Sequence, residues 1–392
     1  MNRLSTVSPT GLLFSVTTAR DDTPAPWFGI EHAHAEWNRL IAAALFENSI
    51  TLLGEKLGEL PTETVPAEIR QRIASLNRIW VFKLRHLEQR LTEAVELLSA
   101  AGFEVMLLKG AALAMSVYPR FSARPMADLD LMVAPEQAGD AHVLLQRAGW
   151  SVANEPLPLE RWNSHHHLPP LADTTGSGLR LELHTAALPA ENPFSLSLGD
   201  LRNHARPIKI GNAVALIPDG HVHAVHAAIH FAFSHQFTSG ALNFFRDIER
   251  LSSGSDWSWD DFTRIALSSD AAACCYWALR LSQSLGHVEV PGFVLQRLSP
   301  PFSPRFAAIL DKHLQQVVLR SENACPSVEL RRRMWAFALG LPAEAFNQSG
   351  DWQLAPASIA SKRKWRRVGN HLLRAPAWSR YVASLVPLLI AT

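Results

Sequence analysis

The stretch from residue 103 to residue 133 constrains the fold of this 392-residue chain more than any other. Residues 103–108 form a short apolar run that predicts a buried strand. Lys109 and Gly110 end that strand, and a short helical pattern follows them. Residues 129–133 predict a second strand with apolar flanks. Two buried strands around a polar junction indicate a mixed unit of strands and helices.

A pair of aspartates, Asp128 and Asp130, lies where the second strand begins. On a strand, a spacing of two residues points both carboxylates to the same face. Adjacent carboxylates repel each other unless a cation lies between them. A hard divalent ion such as Mg²⁺ prefers oxygen ligands and leaves positions open for phosphate oxygens. Such pairs also arise by chance, but the apolar flanks and the preceding Lys-Gly favour a metal-assisted phosphoryl or nucleotidyl transfer site.

The composition excludes several classes of protein. The hydrophobic fraction of 47% and the charged fraction of 19% are typical of a globular protein. A net charge of +1 gives no electrostatic case for nucleic-acid binding. Three cysteines are too few for a disulfide framework, so we expect a reducing, cytoplasmic location. No apolar run reaches the roughly 20 residues that a membrane-spanning helix needs.

Hydrophobic periodicity divides the chain into five parts and predicts the α+β class. The parts are an irregular lead-in (residues 1–24), an N-terminal helical region (25–100), an α/β core (101–217), a C-terminal helical domain (218–345) and a basic and apolar tail (346–392).

Residues 179–184 predict a third strand, in which leucines alternate with polar residues. Its polar face, which includes Glu182 and His184, has two interpretations. The face is a plain solvent-facing edge, or it presents Glu182 as a third carboxylate beside the aspartate pair, with His184 at its flank.

Histidines are concentrated in two places. His223, His226 and His230 share one face of a predicted helix, and residues 165–167 are three consecutive histidines. Histidines spaced along one helix face can bind zinc, although no His-Glu-x-x-His motif is present. We favour a role in lining a cleft or in core hydrogen bonds; a metal-dependent hydrolase built on both groups is the alternative.

The tail contains a dense basic run, residues 362–367, ahead of an apolar end. Such a run can contact an anionic membrane surface weakly, or a polyanion. A solvated helix followed by a C-terminus that docks on the core is the favoured interpretation.

Taken together, these segments resemble the bacterial family of uncharacterised nucleotidyltransferases in the DNA polymerase beta-like superfamily. The resemblance covers roughly residues 75–300 and rests on the combination of motifs. They are Lys109-Gly110, Tyr118-Pro119, the segment from Arg124 through Asp128 to Asp130, Leu181-Glu182-Leu183-His184, His226 with His230, and Arg246-Asp247.

The resemblance implies a small mixed sheet that carries the site. Asp128 and Asp130 would hold Mg²⁺, or Mn²⁺, on a nucleoside triphosphate such as ATP. Glu182 would be the third carboxylate, binding metal or taking the proton of the acceptor hydroxyl. Gly110 would let backbone N–H groups approach the triphosphate at a helix N-terminus.

The resemblance also implies roles for cations and for a cleft. Lys109 and Arg124 would neutralise phosphate charge. The residues expected to line the cleft are His184, His226, His230 and Asp247. The product would be a nucleoside monophosphate attached to a small molecule, peptide or protein, with pyrophosphate released.

Two features depart from the wider superfamily. The interval from Gly110 to Asp128 is longer than in its better-known members, and the superfamily usually has Gly-Ser or Gly-Gly where this chain has Gly110-Ala111. A hydroxyl contact to phosphate is therefore missing. A protein that binds nucleotide without turnover is the second hypothesis, and the histidine-based hydrolase is the third. The presence of all three carboxylates favours the transferase.

Overall fold

A computed structural model describes residues 8–18, 34–60, 65–153, 165–189, 192–341 and 375–390. A seven-stranded mixed sheet lies at its centre. The strands are β1 (Met106–Leu107), β2 (Asp128–Met132), β3 (Trp150–Val152), β4 (Leu171–Asp173), β5 (Arg180–His184), β6 (Arg206–Ile210) and β7 (Ala213–Ile217). Helices come before and after the strands in the chain order, so the predicted α+β class is confirmed.

The order of strands across the sheet is β3-β4-β5-β2-β1-β7-β6. β2 lies in the middle, parallel to β5 on one side and antiparallel to β1 on the other. A parallel pair needs a long crossover connection. Here the chain between β2 and β5 supplies it and also adds β3 and β4 to the edge of the sheet.

The helices before and within the sheet region come in two groups. Four precede the first strand: α1 (Pro9–Thr17), α2 (His34–Phe46), α3 (Ile50–Gly58) and α4 (Ala67–Ala100). Three connect the strands: α5 (Lys109–Ser116), α6 (Ala138–Arg147) and α7 (Leu198–Arg202). Short 3₁₀ turns at Phe121–Ala123 and Pro135–Gln137 precede β2 and α6.

Helix α1 corrects the prediction of an irregular lead-in. The Ser8 side chain accepts a hydrogen bond from the Gly11 backbone N–H, and Pro9 is in the first turn, where a missing N–H costs nothing. Phe14 is buried and makes an edge-to-face contact with Phe245, far along the chain. The tertiary contact stabilises a helix that nine residues would not sustain alone.

The chain after β7 is helical, as predicted, up to Leu339. Its elements are α8 (Gly220–Ile229), a π-helical turn (His230–Ser234), α9 (Ala241–Ser252), α10 (Trp259–Ser268), α11 (Ala272–Gly286), α12 (Gly292–Leu298), α13 (Pro304–Val318) and α14 (Val328–Leu339). The predicted five-part division as such remains a prediction.

The two faces of the sheet are buried by different helices. Leu129 and Leu131 of β2 belong to a cluster with the apolar side of α4. Met132 belongs to a second cluster that joins α1, α2 and α3 to the helices after residue 220. Because side chains alternate along a strand, Asp128 and Asp130 face this second group of helices.

The apolar end of the tail forms α15 (Ala375–Ile390) and docks on α13, where the buried Tyr381 hydroxyl lies 3.2 Å from His313 Nδ1. The basic run at residues 362–367 lies outside the described residues, so its predicted contact with a membrane surface stays a prediction. None of the helices in the described ranges is long and apolar enough to cross a membrane.

Candidate active site

Three carboxylates meet on the two central parallel strands. Asp130 of β2 is the register partner of Glu182 of β5, and Asp128 precedes Asp130 by two residues on the same strand. The leucines between them point to the opposite face, into the cluster under α4. The structure therefore brings together the three acidic residues that the sequence suggested. Glu182 lies beside the aspartate pair and not on a plain solvent-facing edge.

Lys109 reaches into this group from the start of α5. Its Nζ lies 2.7 Å from Asp130 Oδ1 and 3.9 Å from Glu182 Oε2. The backbone of Lys109 has a φ of 45°, in the left-handed region that residues other than glycine seldom adopt. The Leu108 backbone N–H donates to the Asp130 carbonyl at 2.9 Å, which fixes the junction of β1 and α5 against β2.

His184 lies under the carboxylates. Its Nε2 donates to Asp130 Oδ1 at 2.8 Å and lies 3.6 Å from Glu182 Oε2. The residue is fully buried and is not among the residues that line the cavity, so its predicted place at the cleft stays a prediction. The parallel register places His184 beside Met132, two residues deeper in the sheet than Asp130.

The two aspartates are in different electrostatic environments. Burial alone would raise the pKa of Asp130, but Lys109 and the hydrogen bond from His184 hold that pKa well below its usual range. Asp128 makes no ion pair or hydrogen bond with any other described residue. Burial, and then the charges of Asp130 and Glu182, raise the pKa of Asp128 to about 6.

Arg124 is held in place by α9, one of the helices that follow the sheet. Its Nε and Nη2 donate to the two oxygens of Asp247 on α9, at 3.2 and 2.7 Å, in a bidentate pair. The Tyr118 hydroxyl donates to the same carboxylate at 2.7 Å. Arg124 is thus fixed at the cavity edge rather than mobile, and its predicted contact with phosphate stays a prediction.

Gly110 leaves room for this guanidinium. A Cβ on Gly110 would lie 2.6 Å from Arg124 Nη1 and 3.2 Å from its Cζ. The glycine is thus required by the close approach of the arginine, in addition to its predicted role near phosphate.

We expect Gly110→Ala to lower the free energy of unfolding by about 1–3 kcal/mol, because the methyl group forces the buried guanidinium away from Asp247. Gly139→Ala in α6 is the matched control, since a Cβ there meets nothing within 4 Å. The control should gain a few tenths to about 1 kcal/mol from lower unfolded-state entropy. Urea unfolding of both variants measures the difference, and equal stability of the two would contradict the steric argument.

Histidines form another part of the cavity wall. His223 and His226 project from α8 and are buried, whereas His230, which begins the π-helical turn, and His235, which follows it, are half-buried. Burial lowers the pKa of His223 to about 4. Burial, together with the Lys109 charge, lowers the pKa of His226 to about 3. These imidazoles are therefore neutral at pH 7 and offer hydrogen bonds without charge.

Between the carboxylates and the histidines lies a cavity of about 380 Å³. The lining includes Lys109, Arg124 and Asp247, together with the predicted His226 and His230. Its remaining wall is aromatic and amide-bearing, with Phe46, Asn48, Phe231, Asn243 and Phe244. Sequence reasoning missed Phe46 and Asn48, because the end of an amphipathic helix carries no signal for a cavity formed with residues 200 positions away.

Residues 33–287 match the profile of the uncharacterised nucleotidyltransferase family. The chain belongs to this family. No curated protein and no solved structure matched the chain. The matched range contains the three carboxylates, Lys109 and the α8 histidines of this nucleotidyltransferase.

The nucleotidyltransferase site has a donor set and a charge that fit a divalent cation. Glu47 pairs with Arg320 at the cavity rim, 3.8 Å apart. Four other carboxylates and two cationic side chains line the cavity. The carboxylates are Asp128, Asp130, Glu182 and Asp247, and the cations are Lys109 and Arg124. One hard divalent ion matches this excess of two negative charges, and carboxylate oxygens are its preferred ligands.

The two histidine groups do not form one common metal-binding cluster in the part of the chain that the structure describes. Among the described residues, clusters of three side chains that could share a metal are His165 with His166 and His167, and Asp130 with Glu182 and His184. The α8 histidines belong to neither cluster. This result counts against the histidine-based hydrolase, which needed both groups in one site.

Proposed function

We propose that this chain transfers a nucleoside monophosphate from a nucleoside triphosphate to an acceptor hydroxyl or phosphate, with Mg²⁺, and releases pyrophosphate. The observation that carries the proposal is the register of Asp130 with Glu182, with Asp128 on the same face of the sheet. Three carboxylates at one cavity edge, beside a helix start that contains Lys-Gly, suit nucleotidyl transfer. The family match supports the same class of reaction.

Each group would have a distinct role. Asp128 and Asp130 would hold the Mg²⁺, which when bound neutralises charge on the triphosphate. Backbone N–H groups at the start of α5 would approach phosphate oxygens across Gly110. Arg124, already fixed by Asp247, would add a positive charge at no further cost in ordering its side chain.

Glu182 would receive the proton of the acceptor. Burial alone would raise its pKa, but the His184 imidazole, whose Nε2 lies 3.6 Å away, and the Lys109 charge lower the pKa of this carboxyl below its usual range, so it is ionised at neutral pH. The acceptor oxygen would bond to the α-phosphorus as its proton passes to Glu182, and the bond from that phosphorus to the bridging oxygen would break. The electron pair leaves with pyrophosphate.

The size of the cavity and the net charge of the chain favour a small acceptor or an exposed peptide end. A volume of about 380 Å³ is in the range that binds one small molecule. The net charge of +1 gives no support for a long nucleic acid. The three cysteines are buried and unpaired, which supports our proposal of a cytoplasmic location.

The experiment that tests the proposal is thermal unfolding of the pure protein with ATP, CTP, GTP and UTP in turn, each with and without Mg²⁺. We expect one triphosphate to raise the melting temperature only when Mg²⁺ is present. A ligand at 100 times its Kd stabilises the native state by about 2.7 kcal/mol. That triphosphate, labelled at the α-phosphorus, then identifies acceptors. The absence of a shift with all four would contradict the proposal.

A further inference from the structure

Lys109 occupies the place of a cation shared by the second and third carboxylates. Its ammonium lies 2.7 Å from Asp130 Oδ1 and 3.9 Å from Glu182 Oε2, and its side chain is only 18% exposed. An ammonium between the buried Asp130 and the half-buried Glu182 removes the repulsion that would otherwise call for a metal ion there.

The backbone holds the ammonium in this place. Lys109 has a left-handed φ of 45° at the first residue of α5, and the preceding Leu108 is tied to β2 by its backbone hydrogen bond to Asp130. A strained backbone persists only where its surroundings fix it. The fold therefore positions the lysine beside the carboxylates, whereas a surface side chain is free to change its partner.

The contacts of Asp130 are confined to one of its oxygens. Lys109 Nζ and His184 Nε2 both donate to Oδ1. Within the described ranges no hydrogen bond reaches Oδ2, and Asp128, two residues away, has no partner either. The oxygens left for an ion are thus those of Asp128 and one oxygen of Asp130.

We infer that this site binds a single divalent ion, through Asp128 and Asp130, and that Lys109 replaces the second cation between Asp130 and Glu182. The inference rests on the proposed function and specifies its metal requirement. A second divalent ion would have to displace the ammonium and leave it buried without its carboxylates. Glu182 is then free of metal and acts only on the acceptor.

The test is the number of Mn²⁺ ions bound per chain. Mn²⁺ is titrated into the metal-free, full-length protein, and unbound Mn²⁺ is counted by its electron paramagnetic resonance signal. The titration is done alone and with the α,β-methylene analogues of ATP, CTP, GTP and UTP, which resist transfer. We expect one Mn²⁺ in the wild type and two in Lys109→Met. Two Mn²⁺ in the wild type would overturn the inference.

Two further variants keep the test decisive if Lys109→Met does not fold. Glu182→Gln should still bind one Mn²⁺, because this side chain is not a metal ligand in our proposal; loss of that ion would overturn it. Lys83→Met, which removes a lysine that lies over the Trp80 ring on α4, is the matched control and should also bind one. If no protein binds Mn²⁺ even with the analogues, the proposed function itself fails, which is a different result from two ions in the wild type.

Discussion

Replacing Asp128 with Asn should stabilise the metal-free protein and at the same time abolish its Mg²⁺-dependent response to nucleotide. The half-buried Asp128 carboxylate lies beside Asp130 and Glu182 at the cavity, and desolvation together with these charges raises its pKa from 3.8 to about 6. Because one pKa unit corresponds to about 1.4 kcal/mol, we expect a gain of roughly 1–3 kcal/mol in the free energy of unfolding at pH 7.5. Urea unfolding and the thermal assay measure the two effects separately.

The gain should depend on pH with a definite sign. The folded pKa of Asp128 is above its unfolded value, so the proton stabilises the fold below about pH 4, and this contribution is lost as the pH rises through about 6. The variant and the wild type should therefore be equally stable near pH 4 and diverge up to about pH 7. Asp140→Asn, at an exposed position of α6, is the control and should show no such divergence. A variant less stable than the wild type at pH 7.5 would indicate a structural role for Asp128.

Replacing Asp247 with Ala should cost about 3–5 kcal/mol of unfolding free energy, because it leaves a buried guanidinium without its carboxylate. Asp247 accepts hydrogen bonds from Nε and Nη2 of Arg124 and from the Tyr118 hydroxyl, and its side chain is 4% exposed. The loss should exceed that of Tyr118→Phe, which removes one hydrogen bond worth about 1 kcal/mol. Urea unfolding of the wild type and of both variants at fixed pH measures the two losses.

The surface provides a matched control for Asp247. Arg297 and Asp260 form an Arg-Asp pair with a separation of 2.8 Å, but their side chains are 47% and 75% exposed. Asp260→Ala should therefore cost less than about 1 kcal/mol, since solvent screens the pair. Similar losses of unfolding free energy for Asp247→Ala and Asp260→Ala would show that burial does not increase the cost of breaking the Arg124 pair.

The sequence predicted the local parts of the site for clear physical reasons. Because side chains alternate between the two faces of a strand, a spacing of two residues puts Asp128 and Asp130 on the same face. The same alternation puts Glu182 on the opposite face of its strand from the neighbouring leucines. The register of β2 with β5 joins residues about 50 positions apart, and neither strand encodes it alone. The same register buries His184, for which the sequence predicted a place at the cleft.

The sequence also treated the two aspartates as equivalent, whereas the fold separates them. Asp130 is enclosed by Lys109 and His184, while Asp128 is open to the cavity. That difference depends on the left-handed backbone at Lys109 and on strand pairing, which composition and periodicity do not reveal. Helix α1 was missed for a similar reason, since its stability comes from contacts such as that of Phe14 with Phe245.

The pair of Arg124 with Asp247 joins residues 123 positions apart and has a consequence for biosynthesis. A ribosome releases the strands that carry the acidic residues well before it releases α9. During that interval the arginine has no carboxylate, and the sheet face that bears the site lacks its helical cover. The nascent chain therefore acquires its three acidic residues first and its ordered guanidinium last. A chaperone that shields this face would act on the chain between those two moments.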